Sequence, residues 1–128
     1  MNIQVSYFSW WEEIKHFKPE EFTCPCCGRC EMRQEFVKKL DELRDWLGEP
    51  LHITSGFRCR KHNKEVNGSG NSAHLKGLAA DIYIPNSIFR YKIIAFAIIL
   101  GIQRMGIGTN FIHLDIDKTK PHPCIWVY

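Results

Sequence analysis

Long apolar runs are missing from this chain of 128 residues. The most apolar stretch, Ile93 to Ile102, gives way to Gln103 and Arg104 after ten residues, well short of the roughly 20 that a membrane helix needs, so no membrane insertion is expected. Glycine and proline, nine and six residues, are too sparse for a linker or a disordered segment. Charge of one sign is also scarce. A net charge of +3 permits attraction to anionic material such as a bacterial cell wall, but the charges are scattered, and without a basic stripe nucleic acid is not an expected partner. Met1 to Trp11 lacks the basic start and apolar core of a secretory signal, so synthesis in the cytoplasm is expected.

What is present fits one globular domain, expected to be a monomer and long enough to bury a core without disulfides or metal. Residues 1–32 read as an N-terminal capping segment. It is rich in aromatics (Tyr7, Phe8, Trp10, Trp11) and carries a short helix opened by Pro19, with Glu20 and Glu21 at the positive end of its dipole. His16, lying among aromatics, reads as structural. Residues 33–128 read as the core of the domain, which carries the candidate chemistry set out below. Phe36, Val37, Leu40, Leu43 and Leu47 recur at three and four, predicting an amphipathic helix from Arg33 to Leu47 that ends at Gly48 and Pro50. Leu51 to Ser55 reads as a strand, Phe57 to Ser72 as a long polar loop able to line a cleft, and Gly77 to Ile84 as a strand. Asn86 and Ser87 cap a helix from Ile88 to about Leu100, apolar nearly all round and expected to be buried against a sheet. Gly106 to Asp117 reads as a second strand, and Pro121 to Tyr128 as a last one with Trp126 and Tyr128 on one face.

Four of the six cysteines crowd into Cys24-Pro-Cys-Cys-Gly-Arg-Cys30. Cys24, Cys27 and Cys30 form a CxxCxxC series suited to a structural zinc, with Cys26 or a distant residue as fourth ligand. The usual second CxxC pair is absent, so free thiols, or a disulfide to Cys59 or Cys124, stand beside that reading.

The chemistry centres on Ser72-Ala-His-Leu-Lys-Gly-Leu-Ala-Ala-Asp81, a histidine and a carboxylate framed by small residues. Both are ligands that Zn²⁺ accepts, and a catalytic zinc needs three with a fourth position open. Strand alternation places Leu78, Ala80, Ile82 and Ile84 on one face and Asp81 on the other. The same logic puts Phe111, His113, Asp115 and Asp117 opposite Ile112, Leu114 and Ile116, which supplies the third ligand. His74, Asp81 and His113 are therefore the candidate zinc set. Asp115, on the same face as His113, is a candidate for the general base or for a partner that orients the ligand. Arg58 could clamp a substrate carboxylate or stabilise an oxyanion, although a surface ion pair would account for it equally well.

Ser55-Gly-Phe-Arg58, Ser72-x-His-x-x-Gly-x-Ala-x-Asp81 and Phe111-Ile-His-Leu-Asp115 together resemble the motifs of the zinc D-Ala-D-Ala carboxypeptidases and L-alanyl-D-glutamate endopeptidases. These form metallopeptidase family fifteen, here closest in pattern to its subfamily A, in the superfamily that includes the hedgehog signalling domain. The resemblance runs from about Phe17 to Tyr128. It implies a small α+β fold with helices packed on an antiparallel sheet and an open zinc cleft, with His74, Asp81 and His113 on one catalytic zinc. It also implies Arg58 and Ser72 at the substrate, and action on peptidoglycan stem peptides at the bacterial cell wall after release or lysis, as in bacteriophage or prophage members. Relatives place an acid/base two or three residues before the last ligand, where this chain has Phe111 and Asn110. A non-catalytic zinc-stabilised module that binds cell wall or protein is the alternative. A nucleobase deaminase is excluded, since no His-x-Glu accompanies the cysteines.

Overall fold

The computed structural model describes residues 9–128, so Tyr7, Phe8 and most of the stretch read as lacking a secretory signal lie outside the described residues. Among the described residues three helices, α1 (Gln34–Leu47), α2 (Arg60–Glu65) and α3 (Ser87–Ile99), accompany five strands. The strands are β1 (Ile53–Ser55), β2 (Ala79–Tyr83), β3 (Arg104–Ile107), β4 (Phe111–Asp115) and β5 (Cys124–Val127), and short 3-10 turns occupy Trp10–Glu13, Pro19–Phe22 and Ala73–Lys76. The fold is α+β.

α1 follows its periodicity. Phe36, Val37, Leu40 and Leu43 are fully buried, and Gly48 ends the helix in the left-handed conformation, its N–H donating to the Arg44 carbonyl at 3.2 Å. Asp41, also buried, accepts hydrogen bonds from the backbone N–H groups of Lys15 (2.9 Å) and His16 (2.8 Å) and so fastens the N-terminal segment to the helix. Phe17 and Phe22 of that segment enter the same core cluster.

The strands form one sheet in the order β1-β2-β4-β3-β5. Ala80, Ile82, Met105, Ile112 and Leu114 point from it into the core shared with α1 and α3, while the residues between them face a cleft. The sheet is not wholly antiparallel as expected, because β5 pairs parallel to β3. The chain leaves β4, crosses to the far side of β3, and enters β5 in the direction of β3.

Three other expectations need correction. Gly106 to Asp117 is not one strand: β3 and β4 are the arms of a hairpin, closed where the Gly108 N–H donates to the Phe111 carbonyl at 2.9 Å. The inward apolar positions change from odd (Met105, Ile107) to even (Ile112, Leu114) across Gly108-Thr109-Asn110, and that change of phase is the only mark of the turn in the alternation. The polar segment after Phe57 holds α2, whose first turn is capped by Cys59 Sγ accepting from the His62 N–H at 3.4 Å. Only Asn63 of this helix is buried, so no hydrophobic period announces it. α3 is not enclosed either. Phe89, Ile93 and Ala97 are buried, whereas Ile88, Tyr91, Ile98 and Ile99 are exposed, since a helix lying on a sheet needs only one apolar stripe.

Candidate metal centre

The 3-10 turn Ala73–Lys76 presents His74, with Ser72 capping it by accepting the His74 N–H at 3.2 Å. Gly77 then reverses the chain into β2 with φ of 71°, and a Cβ there would collide with the Glu31 carbonyl. Asp81 on β2 stands directly opposite His113 on β4 in the antiparallel ladder. A turn and two neighbouring strands thus deliver the three predicted ligands to one point.

Their geometry could hold a metal ion. His113 Nδ1 lies 2.9 Å from Asp81 Oδ1, His74 Nε2 lies 3.2 Å from His113 Nδ1, and His74 Nε2 lies 3.3 Å from Asp81 Oδ1. Ligands at 2.0–2.1 Å around a tetrahedral zinc stand about 3.3 Å apart, so the triangle fits with a slight contraction. The outer nitrogen of each imidazole is anchored. His74 Nδ1 donates to the Gly56 carbonyl at 2.8 Å, and His113 Nε2 donates to Asp115 Oδ2 at 2.7 Å. In the neutral tautomers these bonds select, lone pairs on His74 Nε2 and His113 Nδ1 converge with a carboxylate oxygen. Three acceptors facing one point could hold a metal ion.

The electrostatics follow from burial and from these bonds. Burial opposes the charge on Asp81, but its hydrogen bonds to His113 and His74 outweigh it and hold the carboxyl well below the usual carboxylate range. Desolvation pushes His74 down despite Asp81 beside it. For His113 burial acts in the same direction, yet the bonds to Asp115 and Asp81 prevail and raise it. Asp115, also opposed by burial, is lowered by His113 and by the Asp117 N–H.

The residues around the triangle are held in turn. Arg58 donates from Nε to Ser55 Oγ (3.1 Å), from Nη1 to Asn63 Oδ1 (3.4 Å) and from Nη2 to Asp81 Oδ2 (3.3 Å), on the wall of the cleft. Three of its five N–H groups are thereby used and two remain. Asp115 is 1% exposed and both its oxygens are engaged: Oδ2 by His113, and Oδ1 by Arg104 Nε (2.9 Å) and the Asp117 N–H (3.0 Å). Ser72 lines the cleft with its hydroxyl oxygen already serving as the cap. Asn110 is exposed in the hairpin turn, and Phe111 packs its ring 5.1 Å from that of Tyr128.

Two functional positions were not evident in the sequence. Arg104 fixes Asp115 and stacks 4.8 Å from the Trp126 ring centroid, and its only visible mark is a charge following an apolar helix. The Gly56 carbonyl, which sets the His74 tautomer, carries no mark of its own, although Gly56 falls inside Ser55-Gly-Phe-Arg58.

Residues 15–115 match the family described as Peptidase M15. The chain belongs to the M15 peptidase family. A comparison with curated proteins found no match. The M15 peptidases are zinc metallopeptidases, and the sheet, helices and open cleft described above are those of an M15 peptidase fold. The match takes in the whole ligand triangle and the Asp115 that supports it, which places the geometry inside the region that defines membership. No helix among the described residues of this M15 member is long and apolar enough to cross a membrane.

Proposed function

We propose that the protein is a zinc-dependent peptidase that cuts D-amino-acid-containing bonds in the stem peptides of bacterial peptidoglycan, as a D-Ala-D-Ala carboxypeptidase or an L-Ala-D-Glu endopeptidase. The observation that carries this reading is the convergence of His74 Nε2, Asp81 Oδ1 and His113 Nδ1 within 3.3 Å of one another at the floor of an open cleft. A zinc ion held there supplies Lewis acidity toward the scissile carbonyl and toward water.

The chain's own residues do the rest. Gly56 and Asp115 hold the two imidazoles with their lone pairs inward, so no rotation is needed when metal binds. Arg58, on the cleft wall with two N–H groups unused, would donate to a substrate carboxylate or to the carbonyl oxygen as charge builds on it. Trp126 and Tyr128 wall the cleft on one side. With both oxygens engaged, Asp115 acts in this scheme as the positioning partner of His113, the second of the two roles the sequence left open. The protein reaches the wall after release or lysis and acts as a monomer.

One observation favours a second reading. Asp81 and Asp115 are the carboxylates of the cleft, and neither is free to take a proton from water, which suits a zinc-stabilised module that binds cell wall without cutting it. Incubating the zinc-loaded protein with muropeptides, followed by mass spectrometry, separates the two. Released D-Ala or a cut L-Ala-D-Glu bond supports the peptidase, provided His74→Ala abolishes it. Intact stem peptides at every bond overturn it.

A further inference from the structure

The cysteines do not gather as their spacing predicts. Cys30 stands apart, and its place is taken by Cys59, 35 residues beyond Cys24 in the chain. Cys24, Cys27 and Cys59 bring their sulfurs within 4.8 Å of one another, with Cys24 Sγ and Cys59 Sγ 3.6 Å apart. Sulfurs bound at about 2.3 Å around a tetrahedral zinc stand about 3.8 Å from each other. We propose that these three thiolates bind a second, structural zinc ion.

The local backbone is built for that task. Residues 24–28 form a tight turn in which the Gly28 N–H donates to the Cys24 carbonyl at 2.8 Å and the Cys24 N–H to the Arg29 carbonyl at 2.8 Å. Gly28 has φ of 73°, a conformation that glycine adopts without strain, and the turn brings Cys24 and Cys27 onto one side. Opposite them, the sulfur of Cys59 accepts the His62 N–H at 3.4 Å, and the Cys59 N–H donates to Cys24 Sγ at 3.4 Å. Arg29, Arg60 and Lys61 line the same cleft as Cys27 and Cys59 and oppose the negative charge of a thiolate cluster. Cys26, exposed and lining the same cleft as Cys27 and Cys59, is the candidate for a fourth ligand. On binding, each of the three thiols releases its proton to solvent and the sulfur lone pair becomes the bond to the metal.

The position of Cys59 gives the site its purpose. It follows Gly56-Phe-Arg58, the segment whose Gly56 carbonyl accepts from His74 and whose Arg58 holds Asp81. The Phe57 N–H already bonds the Phe22 carbonyl at 2.9 Å. A zinc joining Cys59 to the 24–28 turn would fasten this wall of the cleft to the N-terminal segment at a second point.

The test counts metal in the whole protein, purified without chelator, by elemental analysis. It adds cobalt reconstitution to detect the thiolate-to-cobalt charge-transfer band. The wild type is expected to hold two zinc ions per chain, and His74→Ala and Cys27→Ser one each. Cys30→Ser should keep both. Cys27 is exposed, so its replacement spares the core. The charge-transfer band should persist in His74→Ala and vanish in Cys27→Ser. One zinc in both the wild type and His74→Ala supports the cysteine site and overturns the catalytic one instead. One zinc in the wild type with none in His74→Ala overturns the proposal. So does loss of metal in Cys30→Ser but not Cys27→Ser, or a Cys24–Cys59 disulfide in the purified protein.

Discussion

His113 Nε2 donates to Asp115 Oδ2 at 2.7 Å, two residues along the same strand, while Nδ1 of the same ring faces Asp81 at 2.9 Å. The imidazole is a bridge between two carboxylates, and its orientation decides which nitrogen is left for metal. Removing the outer partner should therefore weaken the metal rather than the chemistry. Asp115→Asn is expected to lower zinc affinity by about 10–100-fold, with turnover recovering at saturating zinc. Titration against a competing chelator reads the first effect and activity under excess zinc the second. Turnover that stays lost when the site is full would make Asp115 the base.

Metal and proton compete for His113 Nδ1. Its bonds to Asp115 and Asp81 overcome burial and raise the ring above the ordinary histidine value, so the metal-free protein keeps the proton to higher pH than a free imidazole would. Zinc affinity should rise with pH until that raised value is passed and then level off. For the metal-free fold the sign is the reverse. The stabilisation from protonated His113 is fully present below about 6.5 and is lost as pH climbs through the raised value. Isothermal titration at a series of pH values, paired with melting of the metal-free protein over the same range, measures both slopes.

Arg58→Lys should be far from conservative. Lysine cannot reproduce the planar fork that reaches Ser55, Asn63 and Asp81 together, nor leave two directed donors for substrate. A fall in kcat/KM of about tenfold or more is expected, roughly the loss of one charge-assisted hydrogen bond, with zinc content unchanged. Kinetics alongside metal analysis test it, and unaltered kcat/KM would remove Arg58 from the substrate side of the cleft.

Gly77 joins the turn that carries His74 to the strand that carries Asp81. With φ of 71° and the Glu31 carbonyl where a Cβ would sit, Gly77→Ala should cost more than about 2 kcal/mol, the left-handed penalty plus the clash. Chemical denaturation with saturating zinc reports the loss. A stability within 0.5 kcal/mol of wild type, roughly the scatter of neutral surface changes, would contradict it.

The parts of the structure that were legible share one property, a period maintained long enough to be read. Alternation along Gly77 to Ile84 and around His113 put Asp81 and His113 on one face, where the ladder pairs them, while His74 was read only as the histidine in the turn before that strand. The three-and-four spacing of α1 was equally plain. What escaped has no period. α2 is six residues long, buries only Asn63, and is held by a sulfur cap. The β3–β4 turn shows only as a one-step change of alternation phase across Gly108-Thr109-Asn110, and the parallel return of β5 depends on a crossing that local sequence does not encode. Cys59 meets Cys24 from 35 residues away, a relationship set by packing of Phe22 against the segment after β1 rather than by cysteine spacing. Arg104 was invisible because its partner Asp115 lies across the hairpin, opposite it in register.

β2 and β4 each carry two interleaved messages. Ala80, Ile82, Ile112 and Leu114 specify the core, while Asp81, His113 and Asp115, at the positions between, specify the chemistry. Because the two sets occupy opposite faces, exchanges within one need not be negotiated with the other. Such a strand can explore new reactivity by point substitution while its folding instructions stay intact. A single-residue insertion or deletion has no such freedom, since it swaps both messages at once and turns the ligands into the core. In lineages of this domain, divergence in chemistry should accumulate as replacements at odd positions of these two strands, with length changes confined to the loops outside them.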